Sequence, residues 1–162
     1  MVEINNWNQN RISNLITKKL FGTLSQKKIT ILGFAFKANT NDTRESAAIK
    51  ICRDLIEEGA FLNIHDPKVS VLQIQDALGP AQADQNNKLE GCWRKEDNLY
   101  DSFDDSDAVL IITEWKEYFD MDWNRISSYM RRPAWVFDAR SVVNPNEVIN
   151  AGLKLWRIGD GS

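Results

Sequence analysis

The stretch Ile29-Thr-Ile-Leu-Gly-Phe-Ala-Phe-Lys37, followed by Asn41-Asp-Thr-Arg-Glu-Ser46, decides how the rest of the chain is read. Its β-branched and apolar start makes a buried strand, Gly33 allows a tight turn, and the loop beyond carries Lys37 and Arg44. Asp42 or Thr43 can cap the helix that follows. Strand, glycine turn, cationic loop and helix start form the layout of a phosphate site, because a helix N-terminus and nearby cations favour an anion. A self-sufficient dinucleotide fingerprint needs more: GxGxxG for backbone approach to a pyrophosphate, and an acid about 20 residues later for the ribose. Here Phe34, Ala35 and Phe36 follow the single Gly33, and the strand-end acid Asp66 stands 33 positions beyond it. The segment reads as half of a nucleotide site and as a poor binder of NAD by itself.

Outward from this stretch, apolar runs alternate with helical patterns. Strands are expected at Lys28–Leu32, Phe61–His65, Cys92–Arg94, 108–113, Ala134–Phe137 and Leu153–Arg157. Helices are expected at Ser46–Glu58, closed by Gly59, at Ser70–Leu78, ended by Gly79-Pro80, at Asn98–Phe103 and at Asp120–Met130. A last helix opens at Asn144-Pro145-Asn146-Glu147, with cap, N1 proline and N3 acid all in place. Residues 4–22 have the spacing of an amphipathic helix, with Ile4, Trp7, Ile12, Leu15, Ile16 and Leu20 sharing a face and Gly22 as a stop. Residues 79–90 are polar and aperiodic and read as a surface loop. Near-continuous apolar strands alternating with helices predict an α/β domain: a doubly wound, mostly parallel, Rossmann-like sheet with helices on both faces, preceded by an N-terminal helix.

Composition narrows the function classes. The 162 residues carry 20 Lys and Arg against 23 Asp and Glu, so there is no broad basic surface for nucleic acid. No apolar run reaches the roughly 18 residues of a membrane span and no secretory segment is evident, which gives a cytoplasmic reading without a membrane partner. Cys52 lies on the apolar stripe Ala48, Ile51, Cys52, Leu55 and reads as a buried structural thiol. Cys92 has no motif around it, and the sole histidine, His65, has no adjacent ligand set, so neither a metal site nor a redox pair is expected.

In a sheet of this class ligands bind beyond the carboxyl ends of the strands. Three segments fall there: Gly33–Arg44, Thr113-Glu-Trp115 and Asp138-Ala-Arg140. Lys37 and Arg44 are either phosphate ligands or solvated surface charges. Arg140 either clamps a substrate or pairs with Asp138. Thr113-Glu-Trp115 turns the chain, with Trp115 and Phe119 expected in the core.

Taken together, Ile31-Leu-Gly-Phe-Ala-Phe-Lys37, Asn41-Asp-Thr-Arg-Glu-Ser46, Asp66-Pro-Lys68, Thr113-Glu-Trp115 and Phe137-Asp-Ala-Arg140 resemble, in family order, the C-terminal UDP-binding domain of the UDP-glucose 6-dehydrogenases. The resemblance implies that residues 1–24 are the end of a central dimerisation helix and residues 25–162 the UDP-sugar-binding domain. It implies oxidation of the C6 alcohol of UDP-glucose to UDP-glucuronate with two NAD and a cysteine-bound thiohemiacetal and thioester. Phe36, Lys37 and Arg140 would contact substrate, Arg140 across the homodimer, and Arg44 would reach NAD held mainly by another domain. That NAD-binding domain and the catalytic cysteine are missing from the pattern, and neither Cys52 nor Cys92 has the cysteine's context, so the chain alone is expected to be inactive. His65 is a small departure, since tyrosine commonly precedes Asp-Pro in relatives. Alternatives are the same domain of a GDP-mannose or UDP-N-acetylhexosamine dehydrogenase, a stand-alone nucleotide-sugar binding module, or a dimerisation scaffold.

Overall fold

A computed structural model describes residues 14–19, 27–34, 47–79, 92–132 and 134–157. Residues 14–19 are helical (α1). Then follow β1 (Lys28–Leu32), α2 (Ala47–Glu57), β2 (Phe61–His65), α3 (Val71–Leu78), β3 (Cys92–Lys95), β4 (Ala108–Ile111), α4 (Trp123–Tyr129), β5 (Trp135–Asp138), α5 (Pro145–Asn150) and β6 (Lys154–Arg157). Two 3₁₀ turns, Tyr100–Phe103 and Lys116–Asp120, complete the described elements.

The six strands form one sheet in the order β3-β2-β1-β4-β5-β6, and every pairing is parallel. Buried on both faces, β4 has no residue that reaches solvent. The order runs outward in both directions from the β1–β4 pair. Right-handed crossovers on opposite sides of that pair place helices on opposite faces, and α2 accordingly meets α3 while α4 meets α5. The doubly wound, Rossmann-like reading is correct, and the sheet is wholly parallel.

Local chemistry explains the helix limits. α2 buries the stripe Ala48, Ile51, Cys52 and Leu55 completely. It ends in a Schellman motif, in which Ala60 N–H donates to Leu55 and Gly59 N–H to Ile56, with Gly59 at φ +97°. A capping box opens α3: the Ser70 hydroxyl accepts from Gln73 N–H, and the Gln73 side chain accepts from Ser70 N–H. Asn144 caps α5 by accepting from Asn146 and Glu147 N–H, with Pro145 at the first position. Two helices are shorter than their patterns suggested. Asn98–Phe103 supports only the turn at Tyr100–Phe103, and α4 begins at Trp123, where Asp122 accepts from Arg125 N–H.

Polar residues inside the sheet are matched to one another. Thr30 and Asn63, partners across β1 and β2, both donate to the carbonyl of Ser102, and Ser106 Oγ lies against the Thr30 hydroxyl. At the amino edge of the sheet, Asp107 accepts from Lys28 N–H at 2.9 Å and from the Arg131 guanidinium at 2.5 Å.

Of the N-terminal helix, residues 14–19 pack on this domain. Ile16 is fully buried, and the Lys19 ammonium sits 5.1 Å from the centre of the Trp135 ring. Residues 4–13 and 20–22 of the expected helix lie outside the described residues. No helix among the described residues is long and apolar enough to cross a membrane.

Candidate functional site

The order of the strands reverses between β1 and β4, and the crevice beyond such a reversal is where doubly wound sheets place ligands. The segments after β1, β4 and β5, three neighbouring strands, leave the same edge. Gly33 and Phe34, the described start of the Gly33–Arg44 segment, therefore share one edge with Thr113-Glu-Trp115 and Asp138-Ala-Arg140, as expected.

Gly33 seals the bottom of this crevice. Its φ is +96°, its N–H donates to His65 O at 2.8 Å, and a Cβ there would lie 2.6 Å from Thr113 Oγ1 and 2.8 Å from the Thr113 nitrogen. The space that a Cβ would need at position 33 is filled by Thr113, so only glycine fits this turn.

Asp66 binds the edge together. Its buried carboxylate accepts from Phe34 N–H at 2.8 Å, Lys68 N–H at 2.8 Å, Val69 N–H at 3.0 Å and the Trp115 indole N–H at 3.1 Å. With both oxygens engaged, Asp66 is not placed to hold a ribose. Committed to four protein donors, the acid after β2 does not fit the ribose-holding role of an NAD site.

Beside Asp66, His65 is buried against Tyr118, whose oxygen lies 2.8 Å from His65 Nδ1 and 3.1 Å from its carbonyl. Burial lowers the imidazole pKa to about 4, outweighing the pull of Asp66 in the other direction. Burial first, and Asp66 second, push the Glu117 carboxyl up, and its Oε1 stands 3.5 Å from His65 Nε2. Tyr118 fills the core position expected for Phe119, which is instead about half exposed, whereas Trp115 is buried as expected.

Across β4, Asp138 organises a second turn. Fully buried, it accepts from Arg140 N–H at 3.0 Å, Val142 N–H at 2.7 Å and Val143 N–H at 2.9 Å. Ser141, inside this turn, has φ +59°. The Arg140 guanidinium does not pair with Asp138; its Nε lies 2.7 Å from Glu114 Oε2. The one hydrogen bond of this ion pair runs from Arg140 Nη2 to Glu114 Oε1 at 3.4 Å. Glu114 thus draws a partly exposed strand-end guanidinium toward the end of β4.

Of the expected site residues, only Arg140 lies among those described. Phe36, Lys37 and Arg44, with the caps Asp42 and Thr43, fall within residues 35–46, outside the described residues. Sequence reasoning missed Glu114 as a partner, because 26 residues separate it from Arg140 and no local pattern joins them. It also missed Asp66 as a clamp, although Asp-Pro after a strand is a turn signal. Both thiols are poorly suited to act as nucleophiles: burial pushes Cys52 far up, and Cys92 up as well. Among the described residues no cluster of three or more His, Cys, Asp or Glu side chains is arranged to hold a metal ion.

The sequence profile described as "UDP-glucose/GDP-mannose dehydrogenase family, UDP binding domain" matches residues 30–145. The UDP-glucose 6-dehydrogenase of Drosophila melanogaster is 40% identical over 98% of this chain and 34% of its own length. Among solved structures, UDP-D-ManNAc dehydrogenase of Pyrococcus horikoshii superposes with a TM-score of 0.73 at 24% identity, covering 98% of this chain and 32% of that one. A UDP-glucose dehydrogenase of Pyrobaculum islandicum gives 0.62 at 25% identity, over 94% and 29%. The chain spans about a third of the length of the curated relatives it matches.

Proposed function

The chain belongs to the UDP-glucose/GDP-mannose dehydrogenase family, of which it carries the UDP binding domain, and we propose that it is the substrate-binding part of a UDP-glucose 6-dehydrogenase. In this reading the enzyme oxidises UDP-glucose to UDP-glucuronate as a cytoplasmic homodimer, and the chain alone is inactive. NAD, held mainly outside this domain, accepts the hydride, and Arg44 reaches toward it. Phe36 and Lys37 contact the nucleotide sugar from the loop after β1. Arg140 contacts it from the turn after β5. Residues 1–24 belong to the dimerisation helix.

The observation that carries the reading is the placement of Arg140. Its main chain is held by Asp138 and its guanidinium is ion-paired with Glu114, at the edge where a parallel sheet binds ligands. A cation oriented in advance binds an anionic diphosphate sugar with little loss of side-chain freedom. The 40% identity to a UDP-glucose 6-dehydrogenase favours glucose over mannose or N-acetylhexosamine as the sugar.

Amide chemical-shift titration with UDP-glucose, GDP-mannose and NAD tests this directly. Shifts confined to Gly33–Arg44 and Asp138–Arg140, and strongest with UDP-glucose, are expected; none with any nucleotide would remove the reading. In the enzyme assembled with its NAD-binding domain, Lys37→Ala and Arg140→Ala should each weaken UDP-glucose use by about 1.5–3 kcal/mol, the size of a charge-assisted contact. Arg44→Ala should raise the NAD requirement instead. Steady-state kinetics unchanged in all three variants would refute the assignment.

A further inference from the structure

Resting on that reading of Arg140, we propose that Arg157 is a positioning residue for the nucleotide-sugar site, acting through Asp138. Arg157 ends β6, the edge strand, and is the register partner of Asp138 in the parallel β5–β6 pair, so the two side chains stand on the same face. Its Nε is buried, has no hydrogen-bond partner among the described residues, and lies 4.0 Å from Asp138 Oδ2. The rest of the side chain is about a quarter exposed.

Asp138 has no exposed surface, and the three hydrogen bonds it accepts come from neutral main-chain donors. A buried carboxylate needs a compensating charge as well as donors, and a guanidinium supplies one that is never deprotonated. Arg157 is the ion-pair partner of Asp138 among the described residues. The turn it backs is strained. Ser141, a residue with a Cβ, stands at φ +59°, and such a conformation persists only where its surroundings over-determine it. The order of action is therefore charge at 157, carboxylate at 138, closed turn at 139–143, then the direction of Arg140 and its pair with Glu114. Glu114, Arg140, Asp138 and Arg157 alternate in sign from the end of β4 to the end of β6.

The test compares Arg157→Met, which keeps the aliphatic stem and removes the charge, with Arg157→Lys, which keeps a cation. Hydrogen exchange is read at the Arg140, Val142 and Val143 amides against core amides of β4, and affinity is read with UDP-glucose. In Arg157→Met, exchange at the three turn amides should rise about tenfold while β4 is unchanged, and UDP-glucose should bind about tenfold more weakly. Arg157→Lys should restore most of both. Turn exchange as slow in Arg157→Met as in the wild type would overturn the proposal, and so would accelerated exchange with unchanged affinity. A wild type that does not bind UDP-glucose would instead count against the reading of the site, with the exchange comparison still deciding the role of Arg157 in the turn.

Discussion

Asp66, just beyond β2, and Asp138, at the end of β5, are both buried carboxylates that accept main-chain N–H groups from their own turns. They differ in reach. Asp66 adds donors from Phe34, 32 residues away, and from Trp115, 49 residues away, and so joins the segments after β1, β2 and β4. Every hydrogen bond to Asp138 comes from the five residues that follow it, and its link to another strand is the ion pair with Arg157. One carboxylate is a cross-link of the ligand edge; the other shapes a single turn that presents a single cation. The difference shows how similar strand-end chemistry can either rigidify a site or aim one side chain.

The comparison breaks first, and most visibly, on deleting each carboxylate. Asp66→Ala leaves three buried donors and one partly buried donor without an acceptor and should destabilise by about 3–5 kcal/mol; Asp138→Ala leaves two and one and should lose about 2–4 kcal/mol. Urea unfolding gives the magnitudes. Amide shifts give the reach: the Asp66 variant should perturb Gly33, Phe34 and 113–115 together, the Asp138 variant mainly 138–143, its β6 neighbour and Glu114, leaving Gly33 and Phe34 unmoved. Equal spread in the two would erase the distinction.

Gly33→Ala probes the same cross-link from its other end. Positive φ and contact with Thr113 together should cost about 2–4 kcal/mol in urea unfolding. A loss below about 1 kcal/mol would mean the seam can give.

pH sharpens the contrast, because only the Asp66 side has a histidine beside it. The folded His65 pKa of about 4 lies below the ordinary 6.5, so between these values the unfolded chain binds a proton that the folded chain does not. His65 should therefore lose the protein about 3 kcal/mol of stability as pH falls from 6.5 to about 4, and nothing above 6.5. His65→Gln should flatten that part of the profile, and an unchanged slope would contradict the assignment.

Much of the fold was legible in the sequence because its signals are local. Apolar runs named six strands, Asn144-Pro145 named the start of α5, and Gly59 named the end of α2. Errors arose where one signal had two structural outcomes. Phe119 was expected in the core, but Lys116–Asp120 closes as a 3₁₀ turn, which buries Tyr118 and leaves Phe119 about half exposed. At the candidate site, the place of Arg140 after an apolar strand and an aspartate was legible. Its partner Glu114 was not, since the pairing depends on β4 lying beside β5. Asp66 was weighed for one ligand role and not for the donors that the folded chain brings to it.

The closeness of Gly33 and Thr113 has a consequence for how this domain can change. A Cβ at position 33 would meet the Thr113 main-chain nitrogen as well as its side chain. No replacement at position 113, not even glycine, would open that space, because the nitrogen stays where β1 and β4 hold it. Position 33 is therefore confined to glycine whatever residue stands at 113. The limit is set by the pitch between two strands, and lies beyond the reach of side-chain substitution.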